Sequence, residues 1–202
     1  MQKPLSFKVL LLPIFIVSLA PFIFGADTQL PLHPKPHDGY EIKDDKIYFR
    51  HGEAGLIIEL ATPEKIEKYY KERGSEIGNP FLKLGSDFQD ATIFLVTLLN
   101  RTNGNLTFTP RYVLAKIKSE AYFPLDYMVL LDILDVQQRP MRKILEKSIF
   151  HSPELLQPGN VVSKFLIFPQ MPKKFDDLRL EFDYLYFENF EVKSTFFFTT
   201  KQ

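Results

Sequence analysis

The chain has 202 residues, 45% of them hydrophobic and 14% aromatic, which is enough apolar surface for one packed domain and excludes wholesale disorder. Its 25 basic and 25 acidic residues balance, which argues against a nucleic-acid partner, because phosphate binding needs a concentrated basic face. There is no cysteine, so disulfides, thiol nucleophiles, thiolate metal sites and a lipid carried on an N-terminal Cys are all excluded.

Residues 1–26 read as an address. Lys3 and Lys8 precede Val9 to Phe24, an uncharged apolar run, and small residues follow. This is the layout of a secretory signal. As a helix the run would reach about 24 Å, short of the roughly 30 Å hydrocarbon core, and Pro13 and Pro21 weaken it. The alternative is an uncleaved anchor in the inner membrane, the only membrane contact expected. Either way the remainder is sent to the periplasm or secreted. Residues 27–38 are polar and proline-rich and are expected to be an extended tether, with the folded domain over 39–202.

Tyr40 and Ile42, then Ile47 and Phe49, alternate with polar residues around Asp44-Asp45 and predict a hairpin, followed by a short strand over Leu56 to Leu60. Thr62-Pro63-Glu64 opens a helix: Thr62 caps it, Pro63 suits the first helical position, and Glu64 favours the positive end of the dipole. Ile66, Tyr69 and Tyr70 form its apolar face, and Gly74 stops it. Ser75 to Gly85 reads as loop, with a short strand over Phe81 to Leu84.

Ala91 to Leu99 is an apolar run rich in β-formers and predicts a central, buried strand. Asn103-Gly104 turns the chain, and Leu106 to Phe108 and Tyr112 to Ile117 return as strands with a bend at Pro110. Tyr122 to Val136 fits strand, helical turn or loop. Met141, Ile144, Leu145 and Ile149 have helical spacing. Pro158-Gly159 marks a type II turn before a strand over Val161 to Phe168. Leu178, Leu180, Phe182 and Tyr184 alternate with charged residues, and Phe190, Val192, Phe196 and Phe198 share one parity in a last strand. This many strands with so little helix predicts a mostly β, antiparallel sandwich with one or two short peripheral helices.

From Ala91 to Thr199 the layout resembles the immunoglobulin-like domains of bacterial secreted proteins and lipoproteins of unassigned function. The residues that carry this are Asn100-Arg101-Thr102 at a strand end, Leu106-Thr107-Phe108, Tyr122 to Asp126, Gln157-Pro158-Gly159 before Phe165-Leu166-Ile167-Phe168, and the closing alternating strand. The resemblance implies an extracytoplasmic sandwich and no catalytic residue. The chain departs from the lipoproteins in lacking their lipid-bearing Cys.

The residues offer little chemistry. His33 and His37 lie in His-Pro-Lys-Pro-His, where the prolines forbid the helix that would bring the rings together, so no metal is expected. His51 and His151 have no chelating neighbour and read as surface or turn residues. Gly74-Ser75-Glu76-Ile77-Gly78 fails the nucleophile-elbow spacing and follows a helix, not a strand. Asp44-Asp45 and Asp176-Asp177 read as turn residues, and the Asn100 and Asn105 glycosylation patterns as hairpin residues. No cofactor-binding motif is present. Phe187 and Phe197 break the parity of their neighbours and are the candidates for an exposed interaction surface. The expected function is a non-enzymatic protein-interaction or structural module of the cell envelope, with an envelope protein as partner. The alternatives are a ligand- or lipid-binding module and a hydrolase whose acids assemble across loops.

Overall fold

The computed structural model describes residues 32–75, 78–83, 91–133, 139–172, 175–187 and 190–200. The expected export segment over 1–26 and the first part of the linker lie outside them. Among the described residues the chain is mostly β, with two antiparallel sheets and three α-helices. The strands are β1 (His33–Pro34), β2 (Glu41–Lys43), β3 (Lys46–His51), β4 (Ala54–Leu60), β5 (Ala91–Asn100), β6 (Leu106–Phe108), β7 (Val113–Ile117), β8 (Glu120–Tyr122), β9 (Glu154–Leu156), β10 (Val161–Gln170), β11 (Leu178–Phe187) and β12 (Phe190–Thr199). The helices are α1 (Pro63–Glu72), α2 (Tyr127–Ile133) and α3 (Arg139–Ser148).

One sheet has five strands in the order β10-β5-β4-β3-β2. The other has seven, β1-β12-β11-β6-β9, with β7 and β8 joined through β11. β11 is shared along its length: Arg179 to Phe182 pair with β7, and Leu185 to Phe187 pair with β6. Between β6 and β7, Pro110 opens a short 3₁₀ turn (Pro110–Tyr112), so the two behave as one strand broken at the proline. The inner faces share a core that joins Ile47, Leu56, Phe94 and Phe168 of the five-stranded sheet to Phe108, Phe182, Phe196 and Phe198 of the seven-stranded one.

The helices number three among the described residues, where one or two were expected. They form a third layer on the outer face of the five-stranded sheet. Ile66, Tyr69 and Tyr70 of α1, Leu130 and Leu131 of α2, and Leu145 of α3 pack with Ile93, Phe165 and Ile167. β5 and β10 are therefore covered on both faces. In β10, Leu166 and Phe168 enter the inter-sheet core while Phe165 and Ile167 enter the helical one. That is the physical reason these strands read as unbroken apolar runs.

The turn chemistry acts locally. Asp44 and Asp45 both have positive φ (52° and 57°), the backbone of a tight hairpin turn between Ile42 and Ile47. Gly159 has φ 80°, and the Asn160 N–H donates to the Gln157 carbonyl at 3.1 Å, closing a type II turn. The 100–105 segment is not a hairpin, because β5 and β6 belong to different sheets; it is a corner. Asn100, fully buried, donates to the Gly104 and Leu156 carbonyls at 2.8 Å each and accepts from Thr102. The segment at Phe81 is a 3₁₀ turn (Pro80–Lys83), not a strand; Leu84 lies outside the described residues.

Candidate interaction edge

A one-residue irregularity in β11 decides which aromatics face outward. The β11–β12 register runs regularly from Leu178↔Phe198 to Phe182↔Ser194 and resumes at Leu185↔Val192. β11 spends three residues where β12 spends two, and the bulge places Tyr184 at φ 57°. Beyond it the parity flips. Leu185 and Phe187 turn into the core, and Tyr184, expected to face inward with Phe182, is 41% exposed instead.

This corrects the expectation for Phe187, whose reversed parity is the bulge and not an exposed patch. Phe187 is only 6% exposed and stacks on His51 with ring centroids 5.3 Å apart. Phe197 does lie on the outer face, but half-buried, beneath the His37 ring at 4.9 Å. The most exposed Phe among the described residues is Phe190, at 72%, where β12 begins.

The expected tether over 27–38 is also corrected in its described part. His33 and Pro34 pair with Thr199 and Phe198, and the Lys35 N–H donates to the Phe197 carbonyl at 2.8 Å. Lys35 Nζ pairs with Asp177 Oδ1 at 2.5 Å. Backbone pairing is available because only alternate residues face β12, and the prolines at 34 and 36 do not occupy the donor position at 35. After Lys35 the chain turns away to β2. The Tyr40 hydroxyl donates to the Lys35 carbonyl at 2.6 Å and accepts from the Phe197 N–H at 3.1 Å. Burial pushes the Tyr40 phenol above its ordinary range, opposed by that backbone hydrogen bond.

These contacts show that both backbone groups of Phe197 point away from β11. Strand periodicity then points those of Thr195, Lys193 and Glu191 the same way. Among the described residues no strand pairs with that side of β12 between Glu191 and Thr195. The result is an open sheet edge, closed at one end by the Lys35–Tyr40 turn. Beside it lies a recess of about 420 Å³, open to solvent and lined by Tyr40, Phe49, Arg179, Lys193, Thr195 and Phe197 among others. Glu181 in its wall is neutralised by Lys116 at 2.6 Å, whereas Arg179 has no ion pair among the described residues.

The other candidate residues are scattered. His33 Nδ1 lies 4.0 Å from Asp45, His37 accepts from the Gly39 N–H, and His151 packs on Tyr127. No group of three metal-ligating side chains occurs among the described residues. Ser75 completes the end of α1: its N–H donates to the Tyr70 carbonyl and that of Gly74 (φ 69°) to the Lys71 carbonyl. Among the described residues two buried side-chain polar atoms have no partner, His33 Nε2 and Ser194 Oγ. No described helix is long and apolar enough to cross a membrane. The sequence reading missed Tyr40, Arg179 and Lys193, whose signal exists only once the order of strands is known. Comparisons with protein families, with curated proteins and with solved structures return no match for this chain.

Proposed function

We propose that the chain is an extracytoplasmic protein-interaction module of the cell envelope, an immunoglobulin-like sandwich that takes an extended protein segment as an added strand on β12. The observation that carries this reading is the open edge from Glu191 to Thr195. Unpaired strand edges template pairing with another chain, and proteins usually cover or shorten them. Here the neighbouring stretch is closed by β1 and the Tyr40 hydroxyl, so the uncovered length is local and bounded. Main-chain hydrogen bonds supply affinity in this mode, and alternate side chains supply specificity. The basic start of the chain and the uncharged apolar run after it support placement outside the cytoplasm.

The test is site-specific photo-crosslinking of the full chain in its own cells. A photoreactive residue at Thr195 is expected to form protein adducts, and one at Met128, exposed on α2 in the helical layer, is not. Lys193→Pro removes an outward-facing N–H from an edge, where proline is tolerated, and should abolish the Thr195 adducts while melting like the parent. Adducts that survive Lys193→Pro in a folded chain would refute strand addition.

A further inference from the structure

Resting on that reading of the β12 edge, we propose that the added strand is β12 of a second copy of this chain, paired antiparallel about a two-fold axis at Val192. In this register Glu191 lies opposite Lys193 of the second copy, and Lys193 opposite its Glu191. Both are outward-facing positions, so each pair exchanges two backbone hydrogen bonds. Their side chains lie on the same sheet face, with Glu191 and Lys193 already 3.7 Å apart within one chain and exposed. Opposite charges directly across a ladder attract.

Neighbouring two-fold registers fit less well. Centring the axis on Lys193 sets two ammonium groups against each other. Centring it on Ser194 or beyond drives the second strand into the Lys35–Tyr40 turn that closes the edge at Phe197. With the axis at Val192, the second copy's strand begins at Phe190 opposite Ser194 and stops short of that turn. The inward side of the same ladder is apolar at its centre, Val192 against Val192. It also gives Phe190, 72% exposed in one chain, a neighbouring sheet end to cover it. The interface is isologous, so it closes at two copies and does not propagate a fibre.

Charge reversal discriminates this partner from any other. The full chain is isolated and its mass in solution followed by light scattering across a dilution series. Glu191→Lys alone and Lys193→Glu alone each create two like-charged pairs and should weaken the dimer about tenfold or more. The double reversal restores opposite charges across the axis and should return the dimer to near its original affinity. Phe190→Ala should weaken it without shifting unfolding of the monomer. If the chain stays monomeric while Thr195 photo-crosslinks to a different protein, the second-copy assignment is overturned and the edge reading stands. If Thr195 gives no Lys193→Pro-sensitive adduct to any protein, both fall. A dimer that both single reversals leave unchanged also overturns the assignment.

Discussion

Tyr184 holds a left-handed backbone conformation that costs a bulky L-residue about 1–2 kcal/mol. What it obtains is a phase change: past the bulge, Leu185 and Phe187 enter the core, and Tyr184 packs outward against Tyr112, the rings tilted with centroids 4.3 Å apart. Burying two large apolar side chains, at about 1.5–3 kcal/mol each, outweighs the strain. The same phase change makes Phe187 and Phe197 unequal. Phe187→Ser is expected to destabilise the domain by about 3–5 kcal/mol, the cost of truncating a buried Phe, with an unchanged slope in denaturant unfolding. Phe197→Ser should cost clearly less, because its ring is half-buried on the outer face beneath His37. Equal unfolding midpoints for the two variants would contradict the bulge as the arbiter of what is core.

At the scale of the element, α1 is the clearest case of local signals holding in the tertiary structure. Thr62 accepts from the Lys65 N–H, Pro63 takes the first position, and Gly74 and Ser75 close the last turn. What the helix packs against is a tertiary matter. Tyr69 and Tyr70 lie on Phe165, the Tyr69 hydroxyl donates to the Ser163 carbonyl at 2.7 Å, and the Tyr70 hydroxyl is hydrogen-bonded to Ser148 at 2.6 Å. Burial pushes the Tyr70 phenol far above its ordinary value near 10. The folded chain therefore holds that proton more tightly than the unfolded chain. The corresponding stability is complete below about pH 10 and is lost as pH rises from there toward the raised value. Urea unfolding measured from about pH 8 to about pH 11 should show stability falling at the alkaline end, and less steeply in Tyr70→Phe. Tyr69, raised for the same reason, keeps the residual slope from vanishing. An identical alkaline slope in Tyr70→Phe would mean that this phenol does not stay protonated against α3.

The described residues form three layers, and β5 is an interior strand of the middle one. β5 is flanked by β4 and β10, faces the inter-sheet core through Phe94, Val96 and Leu98, and faces the helices through Ile93. Its last residue, Asn100, joins the corner to β9 through the Leu156 carbonyl. No sub-global opening exposes β5 without dismantling either the core or the helical layer. Its amides from Ile93 to Leu98 should therefore exchange with solvent only at the rate set by global unfolding. The outward amides of Lys193 and Thr195 should exchange fast in the monomer. Dilution-sensitive protection of Lys193 is the signature of the two-fold ladder. Exchange in β5 faster than in β11 would show that the middle layer opens by itself.

Much of the order of elements was legible in the residues because its causes are local. Alternation marked β3 and most of β11, cap and stop residues marked α1, the spacing of Leu145 and Ile149 marked α3, and paired aspartates and Pro158-Gly159 marked their turns. Two antiparallel sheets with little helix followed from that order. The third layer was not legible, since a strand buried on both faces reads the same whatever covers it. Nor was the bulge at Tyr184, because local alternation continues through Phe182 and only the register against β12 breaks it. The open edge of β12 was least visible of all. Whether a strand is central or at the rim depends on which distant segments pair with it. Here that rests on β1 stopping after two residues and on the Tyr40 hydroxyl taking one N–H, contacts between residues far apart in the chain.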